Sequence, residues 1–175
     1  MKKAIPNEYR KDIFDIDYDN LKEKNIKCLV FDLDNTIIHM DTNKPEDKTI
    51  KLINKLKKDF KIYILSNNNN KNRLNEVSGY LGVDYVSFAL KPTKIGFWKL
   101  LKKSGFKKEE ICVIGDQMVT DIIGGNRLKS YTVLVDPLTM KDLKITSFNR
   151  FLEKKIMNKL EKKDTFKKGR YYDGR

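Results

Sequence analysis

The sequence has one histidine, two cysteines and no long apolar run. Because no cysteines and histidines cluster at the spacing of zinc ligands, we expect no zinc site. Cys28 and Cys112 each lie inside an apolar segment, which predicts two reduced thiols in the core rather than a disulfide. No apolar stretch approaches the roughly 20 residues that span a bilayer, and the N-terminus lacks the apolar segment of a secretory signal. We therefore expect a cytoplasmic protein.

Acidic residues are fewer than basic ones: 24 Asp and Glu accompany 37 Lys and Arg, which gives a formal net charge of +13. The excess is marked near the C-terminus, where residues 150–175 hold ten basic and four acidic side chains. Such a surface attracts polyanions: nucleic acid, anionic lipid or a phosphorylated substrate. The alternative is that the lysines only keep the protein soluble. At 175 residues, 39% of them hydrophobic, the chain is expected to form one globular domain.

Short apolar segments alternate with segments of helical periodicity along the chain. This alternation predicts an α/β fold, in which a doubly wound parallel sheet is covered by helices on both faces. The apolar positions of the helical segments recur every three or four residues, as on one face of a helix. The predicted strands are residues 27–32, 61–67, 85–90, 111–116 and 131–137, and the predicted helices are residues 45–56, 74–81, 95–104 and 121–128.

Polar residues follow four of the predicted strands. Ligands of parallel sheets bind beyond the carboxyl ends of the strands, so these residues should converge on one crevice. Three carboxylates without histidine or thiolate suit Mg²⁺, while a lysine and the hydroxyl and backbone N–H of a serine can bind phosphoryl oxygens. One carboxylate can act as a nucleophile and its neighbour as a proton donor. Asp32 and Asp34 follow the first strand, Ser66 and Asn67 the second, Lys91 the third and Asp116 the fourth.

Four motifs at these positions resemble those of the haloacid dehalogenase (HAD) superfamily of phosphohydrolases. They are DLDNT from Asp32, YILSN ending at Asn67, LKP around Lys91 and IGDQMVTD ending at Asp121, and they stand in the order of that family. The resemblance implies a HAD-like Rossmannoid core. It also implies hydrolysis of a phosphomonoester in two steps, with Asp32 as the nucleophile and Asp34 as the general acid and base.

The same resemblance implies roles for the other residues of the motifs. Mg²⁺ would be held by the carboxylates of Asp32 and Asp116 and by the backbone carbonyl of Asp34. Ser66 and Lys91 would bind the phosphoryl group, and Asn67 would line the same site. Thr36 and Asp121 would support the metal ligands from outside. The paired carboxylates after the first strand would then be tolerated because Mg²⁺ and Lys91 offset their charge.

A lead segment before the first motif is similar to that of the YqeG-like subgroup of HAD phosphatases, which have no cap domain. The segments between Asp32, Ser66 and Lys91 are largely filled by the helices and strands of the sheet itself, so no cap is expected here either. The subgroup is similar to phosphatidylglycerophosphate phosphatases, which implies a lipid head group as substrate and peripheral contact with an anionic membrane. The matching residues are Pro6, Ile13 to Asp17, Leu21, Ile26 and Lys27.

These motifs divide the chain into three expected segments. Residues 1–26 form a lead segment packed on the core, residues 27–163 the phosphatase domain, and residues 164–175 a basic, flexible tail. Within the domain, Trp98 lies beside Phe97 on a predicted helix and is expected in the core.

Several alternatives stay open. The apolar face formed by Phe148, Leu152, Ile156 and Leu160 predicts either a final helix packed on the sheet or a helix on a membrane surface. The substrate could instead be a phosphorylated nucleic-acid end or a phosphoprotein. A non-catalytic module that accepts or binds phosphate is the third alternative, disfavoured because the motifs are complete.

Overall fold

The computed structural model describes residues 4–139, 147–162 and 165–173. Six strands of the described chain form one sheet in the order β1-β6-β5-β2-β3-β4, and every neighbouring pair is parallel. The doubly wound parallel sheet predicted from the sequence is therefore confirmed. The strands are β1 (Glu8–Arg10), β2 (Cys28–Phe31), β3 (Lys61–Leu65), β4 (Asp84–Val86), β5 (Ile111–Gly115) and β6 (Tyr131–Val135).

Helices cover both faces of the sheet. They are α1 (Tyr18–Glu23), α2 (Asp47–Leu56), α3 (Lys71–Leu81), α4 (Lys94–Ser104), α5 (Ile123–Leu128) and α6 (Ser147–Glu161). One core lies under α2 and α3, and a second core lies under α4 and α5. A single helix connects β2 to β3, and another connects β3 to β4, so neither connection holds a cap domain. None of the described helices is both long and apolar enough to cross a bilayer.

The central strand β2 shows why these apolar segments form strands. All four of its residues are buried, as expected for a parallel strand covered on both faces. Because side chains alternate between faces, Leu29 and Phe31 enter the core under α2 and α3, while Cys28 and Val30 enter the other. Burying each of the larger side chains stabilises the fold by about 1.5–3 kcal/mol. Both cysteines are buried and free, as the sequence predicted.

The strand predicted for residues 85–90 is shorter in the structure. It ends at Val86, and the chain then turns outward through Phe88 and Leu90, which have φ angles of 48° and 52°. Side chains disfavour this left-handed region, so these residues cannot extend a strand. The helix predicted over 121–128 also differs: a π-helical turn, Met118–Ile122, comes first, and α5 follows.

Trp98 is the clearest disagreement within a helix. The sequence predicted it in the core, yet the structure leaves it 59% exposed. Phe97 and Leu100 are fully buried on the face of α4 that covers the sheet. Since successive residues are rotated by about 100° around a helix, Trp98 lies on the outward face beside Ile95.

The C-terminal residues join the fold, which the prediction of a flexible tail over 164–175 did not anticipate for 165–173. Tyr172 forms an antiparallel bridge with Tyr9 of β1, a strand that the sequence did not reveal. Phe166 is buried, with its ring 5.2 Å from that of Tyr9, and Leu160 of α6 packs in the same cluster. The packed-helix alternative therefore holds for this end of α6. The side chains of Phe148 and Leu152 lie outside the described residues, as do residues 163–164 and 174–175.

Candidate active site

Lys91 lies at the centre of the carboxyl edge of the sheet, between two acidic side chains. Its Nζ is 2.7 Å from Asp32 Oδ1 and 2.6 Å from Asp121 Oδ1, and its side chain is 3% exposed. Burial alone would lower the pKa of Lys91, but the charges of Asp121 and Asp32 outweigh it and raise that pKa above its ordinary value. Lys91 is therefore a permanent cation that offsets the two carboxylates.

Asp32 directly follows the last residue of β2 and lies in the candidate site. Its backbone N–H donates to the carbonyl of Ile114 on β5 at 2.8 Å, which fixes where the side chain leaves the sheet. The residue is 7% exposed, so its carboxylate is largely removed from water. Lys91 bonds Oδ1, and no other side chain in the described part of the chain donates to Asp32.

Asp121 is positioned by the turn that follows β5. Its Oδ2 accepts from the backbone N–H of Gln117 at 3.1 Å, and the π-helical turn places the residue beneath Lys91. A Cβ at Gly115 would lie 2.3 Å from Asp121 Oδ2, so only glycine leaves room for this carboxylate. Burial raises the pKa of Asp121, and Lys91 opposes that shift.

Three carboxylates can share one cation here. Asp32, Asp116 and Asp121 each offer an oxygen, and these oxygens lie within 4.8 Å of one another. Thr36 Oγ1 donates to Asp116 Oδ1 at 3.2 Å, which orients the third carboxylate. A donor set made of oxygen alone fits Mg²⁺. The cluster contains the Asp121 side chain, which the sequence placed in a supporting role, and not that of Asp34.

Asp34 faces a residue that the sequence analysis missed. Arg73, in the first turn of α3, donates from Nη1 to Asp34 Oδ1 at 2.6 Å. Its remaining nitrogens donate to the carbonyls of Thr42 and His39 at 3.1–3.3 Å, which ties α3 to the loop after the first motif. Burial raises the pKa of Asp34, Asp32 adds to the effect, and Arg73 opposes it. A carboxyl with a raised pKa is suited to donate a proton.

Ser66 and Asn67 lie at the same edge, in roles partly different from those expected. The backbone N–H of Ser66, one of the two donors expected to bind phosphate, donates to the carbonyl of Val86 at 3.1 Å within the sheet. The Ser66 hydroxyl accepts from the N–H of Asn68 at 3.0 Å and keeps its proton for another acceptor. The Asn67 amide bonds the backbone N–H and carbonyl of Lys91 at 2.7 and 3.1 Å, and so positions the lysine.

A cleft beside the carboxylates opens toward the C-terminal segment. It extends from Asp116 and Gln117 along the end of β6 to Phe166 and Lys168. Its wall therefore combines apolar and charged groups next to the candidate metal ligands.

The chain is similar in sequence to known phosphatases. The model of a family described as mitochondrial PGP phosphatase matches residues 1–138. The protein named "Probable phosphatase YqeG" of Bacillus subtilis is 38% identical over 160 residues, covering 91% of this chain and 92% of the relative.

Solved structures share the fold at low sequence identity. A HAD phosphatase from Thermococcus onnurineus is 13% identical with a TM-score of 0.56, over 68% of this chain and 90% of the other. A HAD-family enzyme from Bacteroides thetaiotaomicron, in complex with magnesium, is 17% identical with a TM-score of 0.50, over 69% of this chain and 98% of the other.

Proposed function

Because the chain belongs to the mitochondrial PGP phosphatase family, and is thus a HAD-type phosphatase, we propose that it releases phosphate from phosphatidylglycerophosphate through a phosphoaspartate on Asp32. The contact that carries the proposal is the buried Lys91, which bonds both Asp32 and Asp121. This arrangement puts the positive charge of Lys91 beside Asp32, where an anionic phosphate must approach. Neutral core packing would need none of these charges.

Mg²⁺ is the proposed cofactor, held by the carboxylates of Asp32, Asp116 and Asp121 together with the backbone carbonyl of Asp34. When bound, the ion would offset the charge of the carboxylates and polarise a phosphoryl oxygen. The three carboxylate oxygens already lie within 4.8 Å of one another, which supports this assignment.

In the first step Asp32 Oδ2 attacks phosphorus, and the bond from phosphorus to the glycerol oxygen breaks. Asp34 donates its proton to the leaving alkoxide, while Lys91 and the Ser66 hydroxyl bind the phosphoryl oxygens. In the second step Asp34 takes a proton from water, and the water oxygen attacks phosphorus. Phosphate leaves and Asp32 is regenerated. Arg73 holds Asp34 in place throughout, as a positioning residue.

A lipid substrate is supported by the family and by charge. The net charge of +13 favours an anionic membrane, where each nearby basic residue contributes about 1 kcal/mol. The absence of a cap over either connection leaves the carboxyl edge of the sheet open to a head group at a bilayer surface. We propose that the protein is cytoplasmic and contacts the inner face of the membrane during turnover.

Phosphate release distinguishes the candidate substrates. We would compare phosphatidylglycerophosphate in anionic vesicles with 3′- and 5′-phosphorylated oligonucleotides, each with Mg²⁺ or EDTA, for the wild type and Asp32→Asn. The proposal expects release from the lipid with Mg²⁺ alone, lost in Asp32→Asn. Release from oligonucleotides only would keep the chemistry and reject the lipid. A stable phosphoprotein without turnover would instead indicate a non-catalytic module.

A further inference from the structure

Four large apolar side chains are exposed close together at the edge of the candidate active site. Phe88 is 52% exposed, Leu90 38%, Ile95 45% and Trp98 59%. They make up half of the eight large hydrophobic side chains that the described residues expose, and all four lie within residues 88–98. We call these four residues the rim patch. Single exposed apolar residues are common on protein surfaces, but a cluster marks a contact surface.

The backbone holds Phe88 and Leu90 outward at a conformational cost. Both have positive φ angles, 48° and 52°, which are unusual for bulky side chains. Ala89 between them is fully buried: its N–H donates to the carbonyl of Ser66, and its carbonyl accepts from the N–H of Gly96, both at 3.0 Å. The two larger apolar side chains, Phe88 and Leu90, are exposed while the small Ala89 between them is buried. Burial of apolar surface alone would favour the reverse arrangement.

Helix α4 is packed tightly onto this loop and completes the patch. A Cβ at Gly96 would lie 2.4 Å from the carbonyl oxygen of Ala89, so glycine permits the contact. Ile95 and Trp98, three residues apart, share the outward face of the helix. The opposite face, with Phe97 and Leu100, is buried.

The rim patch adjoins the residues proposed to bind phosphate. Leu90 directly precedes Lys91, which bonds Asp32, and the N–H of Phe88 donates to the carbonyl of Asn68 at 3.2 Å. A surface that covered the patch would therefore reach the loops of the site.

The charge around the patch favours an anionic surface. Helix α4 contains four lysines and no acidic residue. Lys94 and Lys99 flank Ile95 and Trp98 on the exposed face, and Lys102 follows one turn later. Within the described chain, the only α4 lysine in an ion pair is Lys103, with Asp84.

We propose that the rim patch docks on an anionic phospholipid bilayer, with Phe88 and Trp98 inserted at the interface and Lys94, Lys99 and Lys102 on the head groups. Aromatic side chains flanked by lysines are typical of interfacial membrane contacts. The inference rests on the proposed lipid substrate, because docking there would bring the carboxyl edge of the sheet to the head groups. It assigns membrane contact to α4 rather than to the basic helix α6.

Trp98 is the single tryptophan of the chain, so its fluorescence reports on the patch directly. We would titrate the wild type with phosphatidylglycerol vesicles and with neutral phosphatidylcholine vesicles, following emission wavelength, quenching by brominated lipid and cosedimentation. The proposal expects a blue shift and quenching with the anionic vesicles, weakened by salt. Phe88→Ser should lower vesicle affinity roughly tenfold, since it removes the aromatic side chain that docking would bury in the bilayer interface.

The matched control is Phe151→Ser on α6, since Phe151 is 56% exposed and has Lys155 over its ring. It should leave vesicle binding unchanged. Hydrolysis of soluble p-nitrophenyl phosphate should be equal in the wild type and both variants, which shows that they fold.

Three results would overturn the inference. Vesicle binding without a change in Trp98 emission would place the contact elsewhere, as would a loss of binding confined to Phe151→Ser. A blue shift that depends on protein concentration without lipid would show that a second copy covers the patch. Failure of the proposed function looks different: the wild type would bind vesicles through Trp98 yet release no phosphate from phosphatidylglycerophosphate.

Discussion

Replacing Lys91 with methionine tests the electrostatic design of the site. The lysine side chain is 3% exposed and bonds two carboxylates at 2.7 and 2.6 Å. Methionine has a similar length and no charge, so Lys91→Met leaves Asp32 and Asp121 buried beside each other without their cation. Removing one partner of a buried ion pair costs about 3–5 kcal/mol, because the remaining charge stays desolvated.

The expected result is a loss of about 3–5 kcal/mol in the free energy of unfolding in EDTA. For a chain of this size this corresponds to a lower Tm by about 6 to 20 °C. Mg²⁺ should restore part of the loss, because it brings positive charge to the same carboxylates. Phosphatase activity should be abolished in both conditions.

Urea unfolding followed by circular dichroism, with EDTA or with Mg²⁺, measures the effect. Lys61→Met is the matched control, since Lys61 bonds Asp84 at 3.0 Å with both side chains about half exposed. That surface pair should contribute at most about 1 kcal/mol. If Lys91→Met were no less stable than Lys61→Met in EDTA, the carboxylates would not depend on the lysine and the reasoning would be refuted.

Three further predictions concern the groups around this centre. Gly115→Ala should push Asp121 aside, raise the Mg²⁺ concentration needed for half-maximal activity and destabilise the fold by about 1–3 kcal/mol, because its Cβ would meet the carboxylate at 2.3 Å. Arg73→Met should lower kcat about tenfold to a hundredfold with little change in KM, because Asp34 loses the bond that positions it, and Arg73→Lys should recover part of the rate. The two cysteines should resist a thiol reagent at pH 8 until the protein unfolds, since burial raises the pKa of Cys28 to about 12 and shields both sulfurs.

Each of these has a contrary result. If the dependence of activity on Mg²⁺ concentration were unchanged in Gly115→Ala, Asp121 would not be a ligand of the metal. An equal loss of rate in Arg73→Met and Arg73→Lys, with a shifted Tm, would indicate a purely structural arginine. Rapid labelling of native protein would show that the sheet opens at β2 or β5.

The core strands and the site were predictable because both follow from local patterns. Strands such as β2 are continuous apolar runs bounded by polar residues, which is how a strand buried on both faces appears in a sequence. Since the carboxyl ends of parallel strands meet at one edge, the residues after those runs had to converge. Asp32, Lys91 and Asp116 could therefore be found without coordinates.

Strand β1 could not be found in this way. It has three residues, and two of them, Glu8 and Arg10, are charged. Glu8 is nonetheless fully buried, with its carboxylate accepting from the hydroxyl of Tyr131 at 2.8 Å and from Arg10 at 3.2 Å. The strand pairs with Tyr172 near the other end of the chain. No local pattern encodes partners so distant.

Arg73 was missed and Trp98 was misplaced for a related reason. A basic residue in the first turn of a helix looks like a solvated side chain, and only the fold brings Arg73 to Asp34. A tryptophan between apolar neighbours looks like a core residue, and only the rotation of α4 exposes it. In both cases tertiary placement, rather than residue type, decides the role.

The central claim is that the phosphoryl group is transferred to Asp32 before water releases it as phosphate. We would mix enzyme in excess over phosphatidylglycerophosphate in vesicles with Mg²⁺, quench in acid, reduce with borohydride and map the peptides by mass spectrometry. Borohydride converts a phosphorylated aspartate to homoserine, so the modified position identifies the nucleophile. The account predicts homoserine at position 32 alone, absent without Mg²⁺. Modification at Asp34 or Asp116 instead, or none during rapid release of phosphate, would contradict it.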